Sequence, residues 1–221
     1  MKYSAIVLLG GNSRRFLGDT NKVYLPINNK PVFLYSVDAF LSDCDCDEVI
    51  IVYNKNDLNI IKSYHFSDKI KLVEGGIERY NSVINGLSIV KNPYVLVHDG
   101  ARPYLNLDLI NRVKEGLAKS HCVTLGVPIS DTIKKKDNNQ IETINRDNLY
   151  AIQTPQGSKT KSLKEVLSKV KDSDNITDDL MAFEKYSSVT PLIVLGDKKN
   201  IKITTNDDYE YIKYLMEKKD V

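Results

Sequence analysis

The apolar residues of this chain gather in short runs at 4–9, 49–53, 70–73, 94–97, 122–127 and 192–195, mostly unbroken by polar alternation. Such runs predict strands covered on both faces by other layers. The longer stretches between them predict helices at 32–41, 56–63, 78–90 and 107–118, which gives a βαβ rhythm. That rhythm favours an α/β fold, with a mostly parallel, Rossmann-like sheet flanked by helices. After residue 127 the pattern changes, and a polar centre at 134–140 is flanked by Ile133, Ile141 and Ile144. This predicts a projecting β-arm at about 129–152. Gln153-Thr154-Pro155-Gln156 reads as the turn that ends the arm, because proline removes a donor and favours a break. Helical patterns resume at 161–170 and 178–186, and the chain closes with a strand at 201–203 and a helix at 207–218. No repeat, low-complexity linker or second boundary interrupts the pattern, so one domain is expected over residues 1–221.

Composition narrows the function classes. A chain of 221 residues, 42% apolar and 27% charged, is long enough to bury a sizeable core without staples. Its 31 basic and 29 acidic side chains are spread along the sequence, so nothing in the balance calls for a nucleic acid or an anionic membrane. Any phosphate-binding charge must be local. Cys44, Cys46 and Cys122 lack the paired spacing of a metal site and read as free thiols of a reducing cytoplasm. The apolar run at 5–9 is too short for a signal peptide and is followed by Arg14 and Arg15. No stretch approaches the roughly 20 apolar residues of a membrane span, and a cytoplasmic protein is expected.

Local charge appears directly after the first strand, in Gly10-Gly11-Asn12-Ser13-Arg14-Arg15 and then Lys22. Glycines let backbone N–H groups approach an anion, and arginine and lysine supply donors for phosphate oxygens. The loop matches neither the Walker pattern nor the dinucleotide fingerprint. Spacing alone leaves open an ordinary glycine turn followed by solvated arginines. Two further strand ends carry Gly75-Gly76-Ile77-Glu78-Arg79-Tyr80-Asn81-Ser82-Val83 and His98-Asp99-Gly100-Ala101-Arg102-Pro103. A carboxylate at the end of a central strand suits a hard cation beside substrate phosphates, and Asp99 is so placed, although taken alone it fits a turn or cap role better. His98 fits a buried, hydrogen-bonded histidine better than a general base.

The ordered set GGNSRR, Lys22, GGIERYNSV, HDGARP, Asp131-Thr132, Arg146, Gln153 to Gln156, Thr177-Asp178-Asp179 and Asn200 to Thr204 resembles the 2-C-methyl-D-erythritol 4-phosphate cytidylyltransferase family over nearly the whole chain. Ribitol-5-phosphate cytidylyltransferase is a close relative with the same chemistry. The resemblance implies a nucleotidyltransferase fold whose arm exchanges contacts across a homodimer. It implies transfer of CMP from CTP to the acceptor phosphate, with Mg²⁺ and release of pyrophosphate, in isoprenoid precursor synthesis. Arg15 and Lys22 would be catalytic, holding the triphosphate and stabilising the transition state, and Asp99 would bind Mg²⁺. Gly76 and Ser82 would line the cytosine pocket, with Gly10, Gly11, Arg79 and Arg102 completing the CTP-binding set. Thr132, Arg146 and Lys202 would grip the acceptor phosphate, with Arg146 reaching in from the partner's arm.

The chain departs from the family pattern at Leu8-Leu9, where small alanines are usual, at Ser13 in place of a second glycine, and at Phe16, Asn21 and Val23-Tyr24. The chemistry itself needs positioning and charge neutralisation, because the attacking phosphate is already an anion near neutral pH. A general base is unnecessary, and His98 is not required as one. A nucleotide-binding regulatory protein without turnover is the alternative from another class, and the missing glycine fingerprint disfavours a dinucleotide oxidoreductase.

Overall fold

The computed structural model describes residues 1–10, 21–138 and 140–218. In chain order its elements are β1 (Tyr3–Leu8), β2 (Pro26–Ile27), β3 (Lys30–Pro31), α1 (Val32–Leu41), β4 (Cys46–Tyr53), α2 (Leu58–Lys62), β5 (Ile70–Glu74), α3 (Arg79–Leu87) and β6 (Tyr94–Asp99). They continue with α4 (Leu107–Leu117), β7 (Cys122–Pro128), β8 (Ile133–Asp137), β9 (Gln140–Ile144), β10 (Tyr150–Lys159), α5 (Thr160–Leu167), α6 (Asp179–Tyr186), β11 (Leu192–Leu195) and α7 (Asn206–Glu217). Seven strands form one sheet in the order β11-β7-β10-β6-β1-β4-β5. All neighbours run parallel except β10, which pairs antiparallel with both β6 and β7.

The unbroken apolar runs explain which strands are central. Every residue of β1 is buried, between β4 on one side and β6 on the other. Full burial of one Val, Leu or Ile side chain is worth roughly 1.5–3 kcal/mol relative to exposure, so Ile6 and Val7 favour the middle of the sheet strongly. One core layer packs Phe33, Val37 and Phe40 of α1 with Leu109, Ile110 and Val113 of α4 on one face. The other packs Val83 and Leu87 of α3 with Leu163, Leu167 and Phe183 on the opposite face. Side-chain caps fix two of the helix starts: Asn106 accepts from the Leu109 N–H, and Asp178 from the Met181 N–H.

The expected arm is present as β8 and β9, which pair only with each other, and its outer positions are exposed, Ile141 among them. Two sequence expectations are corrected. Gln153 to Gln156 is not a turn but lies inside β10, at a register irregularity opposite Thr124 and Leu125 of β7. Its polar side chains are buried because partners satisfy them: Gln153 Nε2 donates to Asp197 O (2.8 Å) and Gln156 Nε2 to Asp178 Oδ2 (3.1 Å). Next along the strand, Gly157 lets α4 approach, since a Cβ there would stand 2.6 Å from Val113 Cγ1. Residues 201–203 form no strand. Ile203 donates its N–H to Ala101 O (2.9 Å), and its side chain packs with Ile27, Val32, Ile212 and Met216, so the apolar alternation serves a small core under α7.

Candidate active site

The parallel ladder brings the carboxyl ends of β1, β4, β5 and β6 to one edge. Leu8 is in register with Asp99 and Val52, and three backbone bonds continue the ladder beyond the strands: Leu9 N–H to Val52 O (2.8 Å), Gly75 N–H to Tyr53 O (2.8 Å) and Gly100 N–H to Leu8 O (2.9 Å). This edge is where open α/β sheets bind ligands. A cavity of about 700 Å³ opens there, walled by Gly10, Gly75, Gly76, Arg79, Ser82, Asp99 and Lys202, with Leu8, Tyr53, Asn54, Lys55, Ile77 and Glu78.

The glycine loop before α3 is held by its own helix. Gly76 N–H donates to Ser82 Oγ (3.0 Å), while the Ser82 hydroxyl reaches Glu78 O (3.3 Å). A Cβ on Gly76 would stand 2.3 Å from Asn81 Cβ, so no side chain fits between the loop and the first turn of α3. Asn81 and Glu78 close a capping box that fixes the helix start. The cavity wall at this point is therefore backbone.

Asp99, at the end of β6, is the electrostatic centre. Its carboxylate lies 2.8 Å from Lys202 Nζ, 3.6 Å from Arg79 Nε and 3.9 Å from Arg102 Nε. Burial alone would raise its pKa, but the charges of Arg79, Lys202 and Arg102 overcome that cost and hold the carboxyl well below the usual carboxylate range. Arg79 also forms a fork with Asp179, Nη1 to Oδ1 at 2.9 Å and Nη2 to Oδ2 at 3.4 Å, and so stands between two carboxylates. Arg102 is committed to backbone: Nη1 donates to Asn200 O (2.8 Å) and Nη2 to Ile152 O (3.4 Å), which places it behind Asp99 and not on the cavity wall. His98 is fully buried, and that burial pushes its pKa down to about 4, so its ring is neutral at physiological pH.

Of the residues singled out in the sequence, Gly10, Gly76, Ser82, Arg79, Asp99 and Lys202 come together around this cavity. Lys22 opens a short helical turn, Lys22–Tyr24, that sits beside the end of β1, because Asn21 Nδ2 donates to Leu9 O (3.0 Å). Gly11 and Arg15 lie outside the described residues. Thr132 and Arg146 are exposed on the arm, where Arg146 donates to Ser130 O, and neither lines the cavity. Sequence reasoning missed Tyr53, Asn54 and Lys55, although their place at the end of β4 beside β1 follows from the parallel order. It also missed Asp179 as the partner of Arg79.

Among the described residues no group of three or more His, Cys, Asp or Glu side chains could cage a metal. One cavity-facing carboxylate, Asp99, fits a Mg²⁺ shared with substrate, since that ion commonly takes one or two carboxylates and completes its shell with phosphate oxygens and water. The cavity thus offers backbone donors, a carboxylate and cations, which is the equipment for a nucleoside triphosphate and a second anion.

Known proteins agree with this geometry. The family model IspD, 2-C-methyl-D-erythritol 4-phosphate cytidylyltransferase, matches residues 3–218. The enzyme of that name from Clostridium tetani is 38% identical over 98% of this chain and 91% of its own length. Its counterpart from Lachnospira eligens is 38% identical over 94% and 96%. The crystal structure of 4-diphosphocytidyl-2C-methyl-D-erythritol synthase from Anaerococcus prevotii superposes with a TM-score of 0.85 at 28% identity, covering 98% of each chain. The Francisella tularensis enzyme gives 0.81 at 31% identity over 97% of this chain and 99% of its own. With the family model spanning the chain and the sheet edge built as described, this chain belongs to the 2-C-methyl-D-erythritol 4-phosphate cytidylyltransferase family.

Proposed function

We propose that this chain transfers CMP from CTP to 2-C-methyl-D-erythritol 4-phosphate, forming 4-diphosphocytidyl-2C-methyl-D-erythritol and releasing pyrophosphate, a step of isoprenoid precursor synthesis. The observation that carries this is the cavity at the sheet edge, where backbone of Gly75 and Gly76 faces Asp99 and Lys202, in a chain matched over residues 3–218 by the family model. Gly76 and Ser82 frame the base, and Gly10 opens the loop towards the triphosphate. Lys22 and Arg15 stabilise negative charge on the α-phosphoryl and leaving oxygens. Lys202 holds the acceptor phosphate, whose oxygen attacks the α-phosphorus in line. Asp99 is the residue that would hold Mg²⁺, which neutralises charge on the nucleotide phosphates when bound. Arg79, fixed between Asp99 and Asp179, and Arg102, behind Asp99, set the field around the nucleotide.

The chain works as one nucleotidyltransferase domain over 1–221 whose arm, about 129–152, pairs with a second copy in a cytoplasmic homodimer. Exposure of both arm strands supports that reading, and Thr132 and Arg146 then serve the partner's acceptor site. Pyrophosphate release from the purified chain should require CTP, Mg²⁺ and the methylerythritol phosphate together. Release with ribitol 5-phosphate alone would move the chain to that neighbouring activity. CTP binding without release for any acceptor would make it a nucleotide-binding regulator.

Asp99→Asn keeps the shape and removes the charge that favours a hard cation. The magnesium concentration for half-maximal turnover is expected to rise by about tenfold or more. A magnesium titration that superimposes on the wild type would remove Asp99 from the metal site.

A further inference from the structure

Three motifs leave residues that the transfer step does not use: His98, Thr154 and Asn200. All are buried, with exposures of 0%, 4% and 0%. Asp99 N–H donates to Thr154 Oγ1 at 3.1 Å, and the same oxygen lies 3.0 Å from His98 Nδ1. His98 Nε2 lies 3.1 Å from Arg102 O. A carbonyl only accepts, so Nε2 carries the ring proton and Nδ1 accepts the hydroxyl proton of Thr154. The path then continues through Arg102 Nη1 to Asn200 O (2.8 Å) and returns through Asn200 Nδ2 to Thr154 O (2.9 Å). It closes on the residue where it began.

We infer that Thr154, His98 and Asn200 are positioning residues, forming with Arg102 a closed hydrogen-bonded ring that holds Asp99 and Lys202 in register for cytidylyl transfer. The inference rests on the cavity being the transfer site. Asp99 hangs directly on the ring through its own N–H, and Lys202 follows Asn200 by two residues. The two chain segments that carry them are also joined by the backbone bond from Ile203 N–H to Ala101 O and by the ion pair of Lys202 with Asp99 itself. A buried donor or acceptor left without its partner is costly, so the ring tolerates one arrangement and its two passengers share it. The same assignment gives Thr154 and Asn200 a task in the reaction. It also explains why the polar stretch of β10 runs through the middle of the sheet, next to β6.

Thr154→Val preserves shape and removes the hydroxyl, leaving the Asp99 N–H without an acceptor and His98 Nδ1 without a donor. Partners one step behind a metal-binding group typically carry a factor of about 10–100 in metal affinity or activity. Calorimetric titration of CTP with Mg²⁺ into folded Thr154→Val protein is therefore expected to show affinity weaker by about that factor, with kcat reduced and with CTP binding in the absence of Mg²⁺ unchanged. Thr154→Ser, which restores the hydroxyl, should recover most of both. A purely structural role would lower the melting temperature and leave the Mg²⁺-dependent part of binding untouched, and that result overturns the inference. If Thr154→Val does not fold, Asn200→Ala cuts the ring on its other side: a raised KM for the acceptor with CTP binding in the absence of Mg²⁺ unchanged supports the ring, and an unchanged KM overturns it. Absence of turnover in the wild-type chain would contradict the proposed reaction, whereas the calorimetric comparison reports on the ring by itself.

Discussion

Lys22→Ala should lower turnover by about 10²–10³-fold in a protein that remains folded, the range seen when one well-placed electrostatic contact to a transition state is removed. The structure separates the two effects. Packing of the Lys22–Tyr24 turn rests on Val23 and Tyr24, which are buried against Phe33 and the core beside β1, while Asn21 ties the turn to Leu9 O. On the proposed reading the lysine supplies charge to the reacting phosphates, and its removal should spare those contacts. Circular dichroism and steady-state kinetics on the same preparation check this, and near-normal kcat in a folded variant would remove Lys22 from catalysis.

The second large effect concerns the arm. Arg146 is exposed, sits at the base of β9 and does not line the cavity of its own chain. Its guanidinium suits forked recognition of a phosphate. If it serves the partner's site, Arg146→Ala and Lys22→Ala homodimers should each be nearly inactive, because every site lacks one of the two cations. Equal mixing with subunit exchange makes half the dimers mixed, and each mixed dimer has one of its two sites intact, so roughly a quarter of wild-type activity should return. Exchange verified by a tagged subunit, with no recovered activity, would show that Arg146 does not act across the dimer.

The sequence made the sheet legible wherever strands are buried on both faces, because β1, β4, β6 and β7 each carry a short, mostly unbroken apolar run bounded by polar or turn residues. β10 was hidden for the opposite reason. Gln153, Thr154, Gln156 and Ser158 are buried polar residues, three of them with partners far along the chain at Asp178, Asp197 and Asn200, and hydropathy carries no information about such partners. The strand suggested at 201–203 failed because an alternating apolar pattern reports burial, and here the burial is under α7 with no strand alongside. Around the cavity, glycine loops and strand-end charges were readable from their place after β1, β5 and β6. The pairing of Arg79 with Asp179 was not, since the two are 100 positions apart and nothing local demands it.

Offering CTP and Mg²⁺ with equal amounts of 2-C-methyl-D-erythritol 4-phosphate and ribitol 5-phosphate to the purified chain, and identifying the products by phosphorus NMR, tests the reaction most directly. The cytidine diphosphate derivative of methylerythritol should form first and in large excess, together with one pyrophosphate for each molecule made. Preferential formation of the ribitol derivative, or no diphosphate product from either acceptor, would contradict the assigned reaction.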